Sequence, residues 1–130
     1  MPRLLLVDDE PDILEITRLA FEVAGFEVYT ADSGEEALKC LPDVRPQVLL
    51  IDYKLKGMNG LDLLKAARKI DPALPSIVFT GLTHQSEAIE TECRQVGAFA
   101  FLRKPLRMEE MLQTVNEALQ GRRPEGRTHA

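Results

Sequence analysis

Val48-Leu49-Leu50-Ile51-Asp52, near the middle of the 130-residue chain, decides the fold. Four apolar residues, two of them β-branched, lead straight into one carboxylate. A continuous apolar run of this length, bounded by polar residues, is a strand covered on both faces, as in a parallel sheet. Lys54, Lys56, Gly57, Asn59 and Gly60 follow and read as a loop. The strand therefore delivers Asp52 to the carboxyl edge of a sheet, where open α/β folds bind their ligands.

The same unit recurs on either side. Leu4-Leu5-Leu6-Val7 runs into Asp8-Asp9-Glu10, and Phe26 to Ala31 alternates partly, as a strand does. Ser76 to Thr80 and Ala98 to Leu102 are two further strands, the last followed by Arg103-Lys104-Pro105. Helical spacing fills the gaps. From Asp12 to Ala24, the residues Ile13, Ile16, Thr17, Ala20, Val23 and Ala24 share an inward side, while Asp12, Glu15, Arg18 and Glu22 share the outward one. Leu19 is apolar yet falls on the polar side. Ser33-Gly34-Glu35-Glu36 has the form of a capping box, opening a short helix through Ala37, Leu38 and Leu41 that Pro42 and Pro46 close. A third helix covers Leu61 to Ile70, with Leu61, Leu64, Ala67 and Ile70 inward. A fourth covers Gln85 to Val96 with Ala88, Ile89, Cys93 and Val96, and a fifth carries Met108, Met111, Leu112, Val115 and Leu119. Five strand–helix repeats with short loops require a parallel sheet with right-handed crossovers and helices on both faces. This predicts one doubly wound α/β domain over residues 1–120 and a frayed tail over residues 121–130.

The chain is 45% hydrophobic and 28% charged, enough apolar material for a core. No apolar run is long enough to span a bilayer, and the start has no secretory leader pattern, so no membrane partner is expected. Cys40 and Cys93 have no metal-ligand spacing and read as buried thiols in a reducing cytoplasm. The net charge is −5; residues 1–120 keep 13 of the 16 basic and 20 of the 21 acidic groups, a net of −7. That balance lacks the basic footprint of a nucleic-acid binder, and no nucleic-acid partner is expected.

Four strand ends carry chemistry toward one edge: Asp8 and Asp9, Asp52, Thr80, and Lys104. Taken singly, Asp8-Asp9 could cap a helix, Thr80 could be a turn residue and Lys104 a solvated charge. Together, crowded carboxylates need a cation, and a hard oxygen-liganded ion such as Mg²⁺ suits them. A cation beside a carboxylate, a hydroxyl and an ammonium is equipped to handle a phosphoryl group, with Asp52 as nucleophile and Thr80 and Lys104 on the phosphoryl oxygens.

Over residues 3–119 the chain resembles the response-regulator receiver domains of two-component signalling. The resemblance is carried by Leu5-Leu6-Val7-Asp8-Asp9-Glu10, by Ile51-Asp52 with Leu55, Gly57-Met58 and Asn59-Gly60, by Phe79-Thr80-Gly81, and by Phe101-Leu102-Arg103-Lys104-Pro105. It implies a flavodoxin-like five-stranded sheet in the order 2-1-3-4-5. It implies that Asp52 accepts a phosphoryl group from a phosphohistidine of a sensor histidine kinase or histidine phosphotransferase. Asp9, Asp52 and the backbone carbonyl of Lys54 would hold Mg²⁺, with Asp8 reaching it through water. Thr80 and Phe101 would form the switch, the ring turning from exposed to buried, and the face of the fourth helix, fifth strand and fifth helix would carry the output to an unknown downstream protein. A phosphorylation-dependent dimer is compatible with this.

The expected protein is thus a stand-alone phosphoacceptor, a phosphate sink or a relay intermediate, self-modifying from small donors at most rather than an enzyme. An aspartate-nucleophile phosphatase is the rival, but its Asp-x-Asp-x-Thr pattern is broken by Asp8-Asp9-Glu10-Pro11. Three positions depart from the family's habit: Lys56 replaces a usual proline and Asn59 a usual aspartate, which would loosen the loop after Asp52, and Arg107 replaces a capping residue. Lys54 and Leu82 stand where the family tunes phosphoryl loss. In this family the kinase packs on the first helix, and the misplaced Leu19, with Ile13 and Ile16, is the expected docking surface.

Overall fold

The computed structural model describes residues 1–81 and 86–121. The predicted tail over 121–130 and the position of Leu82 lie almost wholly outside the described residues. Five strands, β1 (Arg3–Val7), β2 (Glu27–Ala31), β3 (Val48–Asp52), β4 (Ser76–Thr80) and β5 (Ala100–Arg103), alternate with α1 (Pro11–Val23), α2 (Gly34–Val44), α3 (Gly60–Ile70), α4 (Ser86–Val96) and α5 (Met108–Leu119). All pairings are parallel, in the order β2-β1-β3-β4-β5. β3 is buried at all five positions, as its unbroken apolar run requires.

Side chains alternate across the sheet and separate two cores. Leu5, Val7, Leu49, Ile51 and Val78 face α2, α3 and α4, joining Leu41, Leu64 and Ile89. Leu4, Leu6, Leu50, Ile77 and Phe79 face α1 and α5, joining Phe21, Met111 and Val115. The chain leaves β1 toward β2 on one side and β3 on the other, so the crevice at the carboxyl ends of β1 and β3 is the topological switch point of the sheet.

Several local expectations are corrected. α1 carries two apolar stripes, both at helical spacing: Ile13, Ile16, Ala20 and Val23, and Leu14, Thr17 and Phe21. Thr17 and Phe21 are buried and Leu14 half-buried, whereas Ile13, Ile16, Leu19 and Val23 are 39%, 62%, 48% and 90% exposed. The largest apolar side chain takes the core, and Phe21 stacks edge-on with Phe26 at 5.3 Å. Pro42 does not close α2. The helix runs on to Val44 and ends at Arg45 in the left-handed region, φ 51°, and the Arg3 guanidinium covers the carbonyls of Val44 and Arg45. Ser33 caps α2 by accepting from the Glu36 amide at 3.1 Å, but the Glu36 carboxylate reaches back one residue further than predicted, to the Asp32 amide. Leu63 joins the buried side of α3, and Ile70 is half exposed.

Candidate functional site at the switch point

The loop after β3 is held by one buried side chain and by the cap of α3. Leu55 is buried, and Asn59 forms a reciprocal capping box with Asp62 at the start of α3. Asparagine caps as well as aspartate, so this departure keeps its structural duty. Gly57 adopts φ +73°, which favours glycine. Gly60 is needed for space: a Cβ there would lie 2.6 Å from Tyr53 Cα and 2.9 Å from the Asp52 carbonyl oxygen. At α5 the departure is felt, because Arg107 makes no side-chain cap.

Around the crevice, Asp8 and Asp52 are buried, only 1% and 2% exposed, and Asp9 is half-buried. Asp9, Glu10, Asp52, Lys54, Gly81 and Lys104 line an open cavity of about 450 Å³. Asp52 Oδ1 accepts from the Lys54 amide at 3.2 Å, and Lys104 Nζ lies 3.4 Å from Asp52 Oδ2. The same ammonium sits 5.2 Å from the centre of the Phe79 ring, a cation–π contact that steers it over the crevice. Thr80 is fully buried at the end of β4, and its carbonyl accepts from the Lys104 amide, which ties the fourth and fifth strand ends together.

The electrostatics are those of a site short of positive charge. Burial pushes the Asp8 carboxyl up to about 6, with the nearby Asp52 charge adding to it and the amide of Glu10 opposing it. Burial also raises Asp52, against the opposing pull of Lys104. Asp8 Oδ1 accepts from the Glu10 amide, while Oδ2 is buried without a hydrogen-bond partner. Carboxylate oxygens of Asp8, Glu10 and Asp52 lie within 4.8 Å of one another. Hard oxygen donors so close together, one of them orphaned, fit a hard divalent cation. Asp8 and Asp52 are thus brought together with Glu10, while Asp9 lines the same crevice outside that cluster. Lys54 lines the same cavity and holds Asp52 through its amide. Glu10 is an addition; the signal for it lay in its spacing of two residues from Asp8 in extended backbone.

The Phe101 ring is buried, 8% exposed, within the cluster of Ile89, Cys93 and Ala98. The small side chains of Cys93 and Ala98 leave room for it.

Taken together, fold and site define a doubly wound α/β protein with an acidic, lysine-bridged crevice at its switch point. Residues 4–116 match the response regulator receiver domain family. The chain belongs to that family, the receiver domains of two-component systems. It is similar to the receiver domain protein from Clostridium thermocellum, TM-score 0.87 at 30% identity, covering 92% of this chain and 95% of that one. It is also similar to the CheY-like receiver domain protein from Methanospirillum hungatei, TM-score 0.86 at 30% identity, covering 93% and 95%. Among curated relatives, the transcriptional regulatory protein GlrR of Escherichia coli is 33% identical over 121 residues, 93% of this chain and 27% of that protein. The DNA-binding transcriptional regulator NtrC of Klebsiella pneumoniae is 36% identical over 114 residues, 88% and 24%.

The chain spans about a quarter of the length of these curated relatives. Their names overturn the exclusion of nucleic acid from the protein's surroundings. The reason is physical: a net charge of −7 describes the surface of residues 1–120, and charge on one segment says nothing of the other three quarters of such proteins.

Proposed function

We propose that Asp52 is the phosphoacceptor of a two-component switch, loaded from a phosphohistidine with Mg²⁺ present. The observation that carries this reading is the convergence of four strand ends on one crevice, with a buried, orphaned Asp8 oxygen beside an Asp52 carboxylate that Lys104 reaches. A carboxylate oxygen of Asp52 attacks phosphorus, the O–P bond forms, and the N–P bond breaks. Its electron pair stays on the imidazole nitrogen, which takes up a proton from solvent. Lys104 neutralises a phosphoryl oxygen, and the Thr80 hydroxyl donates to another. Asp8, Asp9, Asp52 and the Lys54 carbonyl would hold Mg²⁺, which when bound supplies the remaining countercharge.

The chain acts as acceptor rather than as an enzyme, with at most self-phosphorylation from small donors and slow self-dephosphorylation. Output passes through α4, β5 and α5. Arg103, next to Lys104, pairs with Glu90 of α4 at 3.0 Å, so displacement of Lys104 toward a phosphoryl group pulls on α4. In relatives named as transcriptional regulators this output bears on transcription, and the same direction is proposed here. The exposed Ile13, Ile16 and Leu19 are the kinase-docking surface.

Incubation with acetyl phosphate and Mg²⁺, followed by intact mass measurement, tests the assignment. One phosphoryl group per chain is expected, and none on Asp52→Asn. Normal labelling of a folded Asp52→Asn protein would refute it, and sustained hydrolysis of many equivalents would point to a phosphatase.

A further inference from the structure

Glu10 stands at the mouth of the crevice with no structural duty for its side chain. It is the N-cap residue of α1, yet its carboxylate makes no capping bond, and among the described residues it has no hydrogen bond or ion pair. Its backbone is extended, φ −97° and ψ 112°. Residues two apart in extended chain point the same way, so Glu10 follows Asp8 rather than Asp9, and its carboxylate oxygen falls within 4.8 Å of those of Asp8 and Asp52. The Glu10 amide occupies Asp8 Oδ1, which leaves Asp8 Oδ2 buried and unpartnered.

Charge counting leads the same way. Asp8, Asp9, Glu10 and Asp52 face Lys54 and Lys104. Four carboxylates against two ammonium groups leave an excess of two negative charges, that of one divalent cation. Without Glu10 the excess is one.

We propose that Glu10 is a further carboxylate arm of the cation site, a fourth beside Asp8, Asp9 and Asp52, closing on a divalent ion. This rests on the reading of the crevice as a cation-assisted phosphoacceptor site. The Glu10 side chain is long and exposed, so it can approach an ion without moving the sheet edge. Each added carboxylate tightens a site for a hard cation.

The test is calorimetric titration of the full 130-residue chain with MgCl₂ alone. Wild type, Glu10→Gln and Asp12→Asn are compared, the last removing an exposed acid from the first turn of the same helix. Glu10→Gln is expected to weaken Mg²⁺ binding about tenfold, and Asp12→Asn to stay within about twofold of wild type. Equal affinities for Glu10→Gln and wild type overturn the role of Glu10, while Asp52 labelling in wild type still stands as evidence for the phosphoacceptor. A wild-type chain that binds no Mg²⁺ overturns both. Because Glu10 is exposed and makes no side-chain bond, Glu10→Gln leaves the fold unchanged, which circular dichroism verifies.

Discussion

Lys104 Nζ bridges two groups of opposite character, the Asp52 carboxylate at 3.4 Å and the Phe79 ring at 5.2 Å. Lys104→Met keeps most of the stem that packs by Phe79 but removes the countercharge from a buried acid. The Asp52 carboxyl, already raised by burial, rises further. At neutral pH the variant should lose about 1–2 kcal/mol, below the loss for a fully buried pair because Lys104 is partly solvated. Urea unfolding in EDTA measures this. In an Asp52→Asn background the loss should vanish, and a loss of unchanged size there would assign it to packing instead.

Asp8 imposes a pH dependence of definite sign. Its carboxyl is raised from an ordinary 3.8 to about 6 in the folded chain, so between those values the native state holds more proton than the unfolded one. Its contribution to stability is therefore full below about pH 4 and is lost as pH rises through 6, a decline of about 3 kcal/mol. Asp8→Asn should match wild type near pH 4 and exceed it in EDTA at pH 7.5. Added Mg²⁺ should stabilise wild type strongly and Asp8→Asn little. Parallel stability curves for the two proteins across this range would contradict the account.

Gly60 packs its backbone against the end of β3, and its amide donates to the Tyr53 carbonyl at 2.8 Å. A methyl group at 2.6 Å from Tyr53 Cα meets main chain, which cannot swing aside. Gly60→Ala should destabilise the fold by about 2 kcal/mol or more, despite the better helix propensity of alanine. It should also slow labelling of Asp52, whose carbonyl oxygen lies 2.9 Å from the added carbon. Gly25→Ala is the contrast: with nothing within 4 Å of the added carbon but φ +98°, its loss comes from backbone strain alone and leaves labelling intact.

The parallel sheet was legible in the sequence because β3 and β4 each carry an unbroken apolar run, Val48–Ile51 and Ile77–Phe79, and every strand end hands over to a turn. Asp8, Asp52, Thr80 and Lys104 were legible for the same reason, since strand ends in parallel order share one edge. What periodicity could not supply was a choice between equivalent patterns. α1 offers two stripes of equal spacing, and only the bulk of Phe21 selects between them. Pro42 shows the same limit: near the end of a helix it removes only its own amide bond, to the Leu38 carbonyl, and the helix runs on to end where the Arg3 guanidinium serves the carbonyls of Val44 and Arg45. Glu10 was hidden by its neighbours, because the paired aspartates drew attention to adjacency and the backbone favours alternation.

The two faces of α1 should separate folding from recognition. Phe21 is fully buried, and Phe21→Ala should destabilise the chain by about 3–4 kcal/mol. Ile16 and Leu19 are 62% and 48% exposed, so Ile16→Glu and Leu19→Glu should leave the unfolding midpoint nearly unchanged. Their effect should appear with a protein donor. Transfer from a phosphorylated histidine kinase requires the partner to cover this face, and a carboxylate placed there must be desolvated without a partner, at a cost of several kcal/mol. Transfer from acetyl phosphate needs no such contact. A fall of about tenfold or more in kinase-dependent labelling, with acetyl phosphate labelling unchanged, is the expected result. If both donors label Leu19→Glu as they do wild type, the partner reaches Asp52 without touching this stripe, and the exposed apolar residues of α1 have no part in recognition.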